Sequence, residues 1–320
     1  MLVINEQDLT RAVSIKQLVD IMEQVFVTYE NGDFLMPDRM HVHDDKNTLL
    51  IMPCFAKEIF GTKLVSVFSE NSKRNLPVIQ GIVILNNRQT GEPVAILNGP
   101  KLTAMRTAAV GSVAIRHLAP ANAETLGIIG TGVQGFHQAL FACSEFNFKK
   151  VLIFSRHSES MERFMDKLAP LIPDVKIVIA STVRSLVEKS HVIITATSSS
   201  EPVLPNDEQL LSEKCFVGVG SFKPDMREFS HALFKNVSQI FVDTEFAIKE
   251  SGDLAIPLRK DWIKMEQVFT LAKLITGKVK RNQSPTTCFK SVGMALFDLF
   301  AAEYIYEQSI DKGLGTRIDI

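Results

Sequence analysis

Three basic residues stand where an apolar core has no use for them. Lys63 interrupts the run Gly61-Thr-Lys-Leu-Val-Ser-Val-Phe68, Arg106 interrupts a stretch of small apolar residues, and Arg39 follows Met36-Pro-Asp. Alternation along a strand would put Lys63 on the same face as Val65 and Val67. Buried charge is costly unless paired, so Lys63 and Arg106 need an anion, and a bound carboxylate would supply one. Arg can hold a carboxylate through two parallel hydrogen bonds, whereas Lys is a compact charge whose pKa falls on burial. Desolvation thereby makes Lys63 a candidate proton donor near neutral pH. Snorkelling side chains or an internal ion pair are the competing readings for all three.

A second set of residues has a more specific pattern. Residues 125–135 read Thr-Leu-Gly-Ile-Ile-Gly-Thr-Gly-Val-Gln-Gly, a short apolar strand running into Gly130-x-Gly132-x-x-Gly135. Gly130 permits a tight turn, Gly132 lets backbone approach a pyrophosphate, and Gly135 lets the following helix sit close to its strand. The first N–H groups of that helix would face the phosphates. The next apolar run, Val151–Phe154, ends in Ser155-Arg156-His157, with no Asp or Glu to accept from a ribose 2′-hydroxyl. A carboxylate there would repel a 2′-phosphate, whereas Arg156 offers a permanently charged donor fork. NADPH is therefore favoured over NADH, unless Arg156 simply points into water.

Other chemistry-bearing residues carry weaker signals. His41 and His43 form an HxH on a predicted strand, but no third ligand is spaced to complete a metal site. Ser198-Ser-Ser200 lacks a surrounding Gly-x-Ser-x-Gly and reads as a loop. Asp225, Arg227 and Glu228 read as loop charges. Cys54, Cys143, Cys215 and Cys288 lie far apart without a CxxC, so they read as buried thiols in a reducing compartment.

The elements that must position these residues fall into two patterns. Before residue 120 the pattern is mixed. Ile15–Tyr29 has helical periodicity with Gly32 just beyond it, and 48–53, 61–68, 78–85 and 94–97 read as strands. The turn-rich segment 86–91 reads as a hairpin connection, Gly99-Pro100 as the close of the sheet, and 102–118 as a small-residue helix. From 121 onward, short β-branched runs at 126–129, 151–154, 175–179, 192–196, 216–219 and 240–242 alternate with helix-length segments. That alternation predicts an α/β fold: a Rossmann-type, doubly wound parallel sheet with right-handed crossovers. The segment 283–306 is predicted to end in an amphipathic helix.

Bulk properties limit the alternatives. A 320-residue chain, 46% hydrophobic, can bury a large core and more naturally forms two domains than one. A net charge of −1 without long runs of either sign points to neither nucleic acid nor an anionic membrane as partner. The N-terminus lacks the pattern of a signal peptide, and the apolar stretch Val292–Tyr306 is too short to span a bilayer and carries Asp298 and Glu303. A cytoplasmic protein is expected.

Taken together, several motifs resemble the ornithine cyclodeaminase/μ-crystallin family. They are Lys101-Leu-Thr-Ala-Met-Arg-Thr-Ala-Ala109, the Gly130–Gly135 turn, Gly218-Val-Gly-Ser-Phe-Lys-Pro-Asp-Met-Arg-Glu228, Glu250-Ser-Gly-Asp-Leu254 and Lys290-Ser-Val-Gly293, in the family's order over nearly the whole chain. The resemblance implies that residues 1–120 with about 295–320 form a mixed α+β substrate and dimerisation domain, and that 121–294 form the NAD(P)-binding domain. It places Arg39, Lys63 and Arg106 around a substrate carboxylate and reacting carbon. It makes Thr107, Gly130, Thr131, Gly132, Val133, Gln134, Ser155, Arg156, His157, Thr195, Ala196, Thr197, Val219, Val292 and Gly293 the cofactor-binding set, with 195–197 and 292–293 bordering the nicotinamide. It also implies a homodimer.

One departure is informative. Family cyclodeaminases carry an Asp, which engages the substrate's amino groups, where this chain has Phe222. The expected activity is therefore reduction of a small cyclic imino acid, with Δ1-pyrroline-2-carboxylate as leading substrate and L-proline as product. Oxidative enzymes of the cyclodeaminase or alanine dehydrogenase type, and a non-catalytic binding protein of the crystallin type, are the alternatives.

Overall fold

The computed structural model describes residues 1–74 and 76–319. The chain forms two compact units, Met1–Arg106 with Met294–Ile320, and Thr107–Gly293.

The first unit is built on a mixed sheet. Its strands are β1 (Leu2–Ile4), β2 (Phe34–Leu35), β3 (Met40–Asp44), β4 (Asn47–Ala56), β5 (Ile59–Phe68), β6 (Ile79–Asn87), β7 (Pro93–Asn98) and a terminal strand Thr316–Arg317. They run in the order terminal strand-β1-β7-β6-β5-β4-β2, with β3 on β4. The four strands predicted between residues 48 and 97 fall on β4 to β7, and β4 and β5 extend further. Their antiparallel ladder continues without a break from Asn47↔Phe68 to Ala56↔Ile59, so pairing carries residues that alternation alone does not mark. The helix Ile15–Asn31 ends where Gly32 takes φ 77°, its N–H reaching the Thr28 and Tyr29 carbonyls. Gly99-Pro100 closes the sheet region, as expected, just after β7, and also opens a helix, Gly99–Leu118; the Asn98 side chain accepts from the Lys101 N–H at 2.9 Å.

The C-terminal helix, Ala295–Asp311, differs from expectation. It is not amphipathic: every residue from Ala295 to Ala302 is buried, including Asp298. It packs against the helix Ile15–Asn31 and against β4, β5 and β6. Gly61 sets the close approach to β5. A Cβ there would lie 3.1 Å from Leu299 Cδ1 and 2.9 Å from the Ile84 carbonyl oxygen. Asp298 is thus brought down beside Lys63, two residues along β5 on the same face.

The second unit carries a parallel sheet of β8 (Thr125–Ile129), β9 (Lys150–Phe154), β10 (Lys176–Ile179), β11 (Val192–Thr195), β12 (Cys215–Gly218), β13 (Ile240–Val242), β14 (Val268–Thr270) and β15 (Thr287–Lys290). Its order is β10-β9-β8-β11-β12-β15-β13-β14, parallel throughout. The order reverses between β8 and β11, the switch point at which such sheets open a ligand crevice at their carboxyl edge. Six strands lie on the predicted runs; β14 and β15 do not. β15 is only four residues long and ends in a lysine, yet it lies between β12 and β13 and is buried along its length.

Candidate active site

In the first unit, the Lys63 and Arg106 side chains are both buried, and both meet one carboxylate. Lys63 Nζ and Arg106 Nε each donate to Asp298 Oδ1 at 3.0 Å. The anion that the sequence called for is therefore already present within the chain. A lone acid in the apolar run Ala295-Leu-Phe-Asp-Leu-Phe-Ala-Ala302 was the available signal. It is the argument from misplaced charge that singled out Lys63.

The pairing leaves the cluster positive, since two cations share one carboxylate. Burial lowers the Lys63 pKa, Asp298 opposes that, and Arg106 and Arg39 lower it further, to about 8. Burial pushes Asp298 up, but Arg106 and Lys63 outweigh it and hold the carboxyl below its usual range. Arg39 is half-buried, and its charge acts on Lys63, so the structure brings the three predicted basic residues into one electrostatic neighbourhood. His41 and His43 sit on exposed β3 with stacked rings. Among the described residues no group of His, Cys, Asp and Glu is arranged to hold a metal.

In the second unit, the glycine turn has the shape a dinucleotide requires. Gly130 takes φ 107°; a Cβ at Gly135 would lie 1.9 Å from the Gly130 carbonyl oxygen, whereas at Gly132 it would meet nothing within 4 Å. The open side of Gly132 lies at the N-terminus of the helix Val133–Glu145, where N–H groups and the helix dipole favour phosphate. These residues fit a dinucleotide. Hydroxyls link this turn to the end of β9, with Thr131 Oγ1 at 2.9 Å from Ser160 Oγ and Ser160 Oγ at 3.1 Å from Ser155 Oγ. Arg156 and His157 are exposed beside them, Val133 is exposed and Gln134 half-buried. Thr107 is buried in its helix, and its carbonyl accepts from Gln138 Nε2 at 2.9 Å.

The segments expected to border a nicotinamide are held by buried carboxylates that sequence reasoning missed. Asp243 Oδ2 accepts from the Val292 and Gly293 N–H groups at 2.9 and 2.7 Å, and from Ser291 Oγ at 2.7 Å. Glu228 lies on a loop, as expected, but it is fully buried rather than facing water. Its Oε1 accepts from the Thr197 N–H at 2.7 Å and Thr197 Oγ1 at 2.9 Å, and its Oε2 from the Gly220 and Ser221 N–H groups at 2.8 and 3.2 Å. Asp253 Oδ1 accepts from the Glu228 and Phe229 N–H groups at 2.7 and 2.8 Å. Buried Lys290 Nζ lies 3.3 Å from Asp253 Oδ2 and 3.8 Å from Glu228 Oε2. Burial and Asp253 push Glu228 up while Lys290 and the Thr197 donors pull it down, leaving it raised. Thr195 ends β11, and Ala196 and Val219 lie on the loops that follow β11 and β12. Asp225 is exposed, Arg227 half-buried, and Phe222 is 45% exposed.

The switch point, the glycine turn and the parallel order define a Rossmann-type dinucleotide-binding fold. The profile of the ornithine cyclodeaminase/mu-crystallin family matches residues 1–313, and the chain belongs to that family. It is 34% identical over 329 residues to a Delta(1)-pyrroline-2-carboxylate reductase of Bacillus cereus, covering 100% of both chains. It is 32% identical over 283 residues to the ketimine reductase mu-crystallin of Rattus norvegicus, covering 87% of this chain and 86% of that one. Among solved structures, the Thermococcus litoralis Delta(1)-pyrroline-2-carboxylate reductase in complex with NADH and L-proline has a TM-score of 0.92 at 30% identity, covering 99% of this chain and 100% of that one.

Proposed function

We propose that this chain is a nicotinamide-dependent oxidoreductase that reduces the C=N bond of a small cyclic imino acid, Δ1-pyrroline-2-carboxylate to L-proline. The observation that carries the reading is the positive surplus at Lys63, Arg106 and Asp298. It is a buried site with room in its charge balance for one carboxylate, beside an ammonium whose pKa is near 8. The kinship with reductases of this substrate supports it.

Arg39 and Arg106 take the substrate carboxylate and fix the ring. The Lys63 ammonium gives its proton to the imine nitrogen, whose lone pair takes it, and the resulting iminium carbon is the better hydride acceptor. The Gly130–Gly135 turn with 195–197 and 292–293 would hold a dinucleotide whose nicotinamide would supply the hydride; the C=N π pair ends on nitrogen, and Lys63 regains a proton from water. Phe222, where diamino-acid enzymes of the family carry a carboxylate, offers nothing to a second amino group. Arg156, with Ser155, takes the 2′-phosphate, which gives a preference for NADPH.

Nicotinamide absorbance followed with NADPH and Δ1-pyrroline-2-carboxylate, then with NAD and ornithine, proline or alanine, tests this. Consumption in the first mixture alone is expected. Silence there, with turnover of ornithine or alanine, would replace this reading by an oxidative one.

The same reading gives the chain a second copy of itself as partner. Leu35, Met40, Val42, Leu49, Phe68 and Ile82 are exposed on one face of β2 to β6 of the first unit, an apolar area of the kind that monomers seldom leave in water. Sedimentation should give a dimer, and Val42→Lys together with Leu49→Lys, which face each other across β3 and β4, should shift it to monomer.

A further inference from the structure

We propose that Glu228 is a positioning residue for the nicotinamide half of the cofactor, its carboxylate fixing the spacing of the loops that follow β11 and β12. The proposal rests on the dinucleotide reading above and requires nothing of the substrate. One buried carboxylate takes four donors from two loops: the N–H and hydroxyl of Thr197 on one side, the N–H groups of Gly220 and Ser221 on the other. These loops leave adjacent strands at the carboxyl edge, beside the switch point.

Their backbones are packed too closely to tolerate slippage. A Cβ at Gly220 would lie 2.2 Å from the Thr197 carbonyl oxygen and 2.5 Å from Glu228 Oε1, and one at Gly130 would lie 2.5 Å from the Ala196 carbonyl oxygen. The fingerprint turn, the 196–197 loop and the 219–221 loop are therefore stacked edge to edge, and Glu228 is the group bonded to two of them. Its own place is fixed by Asp253, which holds the Glu228 and Phe229 N–H groups, and by Lys290, which supplies the buried counter-charge. Three segments far apart in the chain thus converge on one carboxylate. A hydrophobic side chain would fill that space at lower desolvation cost; it would not bridge the two loops.

The adenosine half of a dinucleotide lies on the β8–β9 side of such a sheet, the nicotinamide half on the β11–β12 side. Titration calorimetry of Glu228→Gln with reduced dinucleotide and with the matching ADP-ribose fragment separates the two halves. Gln keeps one acceptor oxygen and turns an NH2 toward two donors, so affinity for the whole dinucleotide should fall about tenfold. Affinity for the fragment should stay within about twofold, and Glu228→Asp should recover part of the loss. Equal weakening of both ligands, or none of either, overturns the proposal. If Glu228→Gln does not fold, Asp253→Asn provides the second variant. It should show the same selectivity at smaller size, and a non-selective loss there counts against the proposal equally. Wild-type protein that binds neither ligand would instead refute the dinucleotide reading.

Discussion

The two units each bury a cluster of three charges, and the clusters have opposite balances. At Lys63, Arg106 and Asp298 the cations are in excess, and a single carboxylate oxygen serves both. At Glu228, Asp253 and Lys290 the carboxylates are in excess, but main-chain N–H groups occupy three of their four oxygens. A surplus of negative charge met by backbone donors holds loops in place. A surplus of positive charge cannot be met that way by N–H groups, so it remains as attraction for an anion from outside. On the proposed reading, the first cluster receives a ligand and the second holds architecture.

The largest effect that would test this contrast comes from removing the only carboxylate of the positive cluster. Asp298→Ala leaves Lys63 and Arg106 buried without their counter-ion, and should cost about 3–5 kcal/mol of stability in urea unfolding. A loss under about 1 kcal/mol would mean that water already screens the cluster, as it does for exposed pairs. Lys63→Met removes a charge that the proposed chemistry needs and that the fold can spare. Turnover of Δ1-pyrroline-2-carboxylate should fall by about 10²–10⁴, the range for loss of a general acid, with calorimetric affinity for the dinucleotide unchanged. Normal turnover would end the role assigned to Lys63. Smaller again, Arg156→Ala should weaken NADPH about tenfold and leave NADH alone, the loss of one charge-assisted contact at an exposed site. Equal effects on both cofactors would show that Arg156 does not read the 2′-phosphate.

The sequence made one side of this comparison legible and not the other. The glycine turn could be read because its three glycines fall within six residues and Gly135 packs directly against the Gly130 carbonyl oxygen, although Gly130 itself also packs against Ala196, far along the chain. Lys63 and Arg106 could be read because a charge in an apolar run is conspicuous by itself. Their partner Asp298 lies 235 and 192 positions away, and no local pattern connects them. Glu228 was misread for the same reason. In Lys223-Pro-Asp-Met-Arg-Glu228 it looks like one charge among several in a loop, and only the meeting of β11, β12 and β15 buries it. The fold followed a similar rule. β8 to β13 carried their own β-branched runs, whereas β15 owes its place to the neighbours that flank it, and the C-terminal helix is buried all round because sheet and helix both cover it.

The smallest effect is also the most discriminating, because two neighbours of Lys63 must shift it in opposite directions. The proposed donor is the ammonium form of Lys63, present below a pKa of about 8 and lost above it. With imine as substrate, kcat/KM should therefore fall as pH rises through about 8. A lysine at its ordinary value of 10.5 would leave the profile flat in that range. Asp298 raises this pKa, so Asp298→Asn should move the descending limb to lower pH, burial and Arg106 then acting unopposed. Arg39 lowers it, so Arg39→Met should move the limb to higher pH. A change in bulk stability, or in cofactor binding, has no reason to displace the limb in opposite senses for an acid and a base on either side of one lysine. Shifts in the same direction, or none, would mean that the limb belongs to another group, and the proton would have to come from elsewhere.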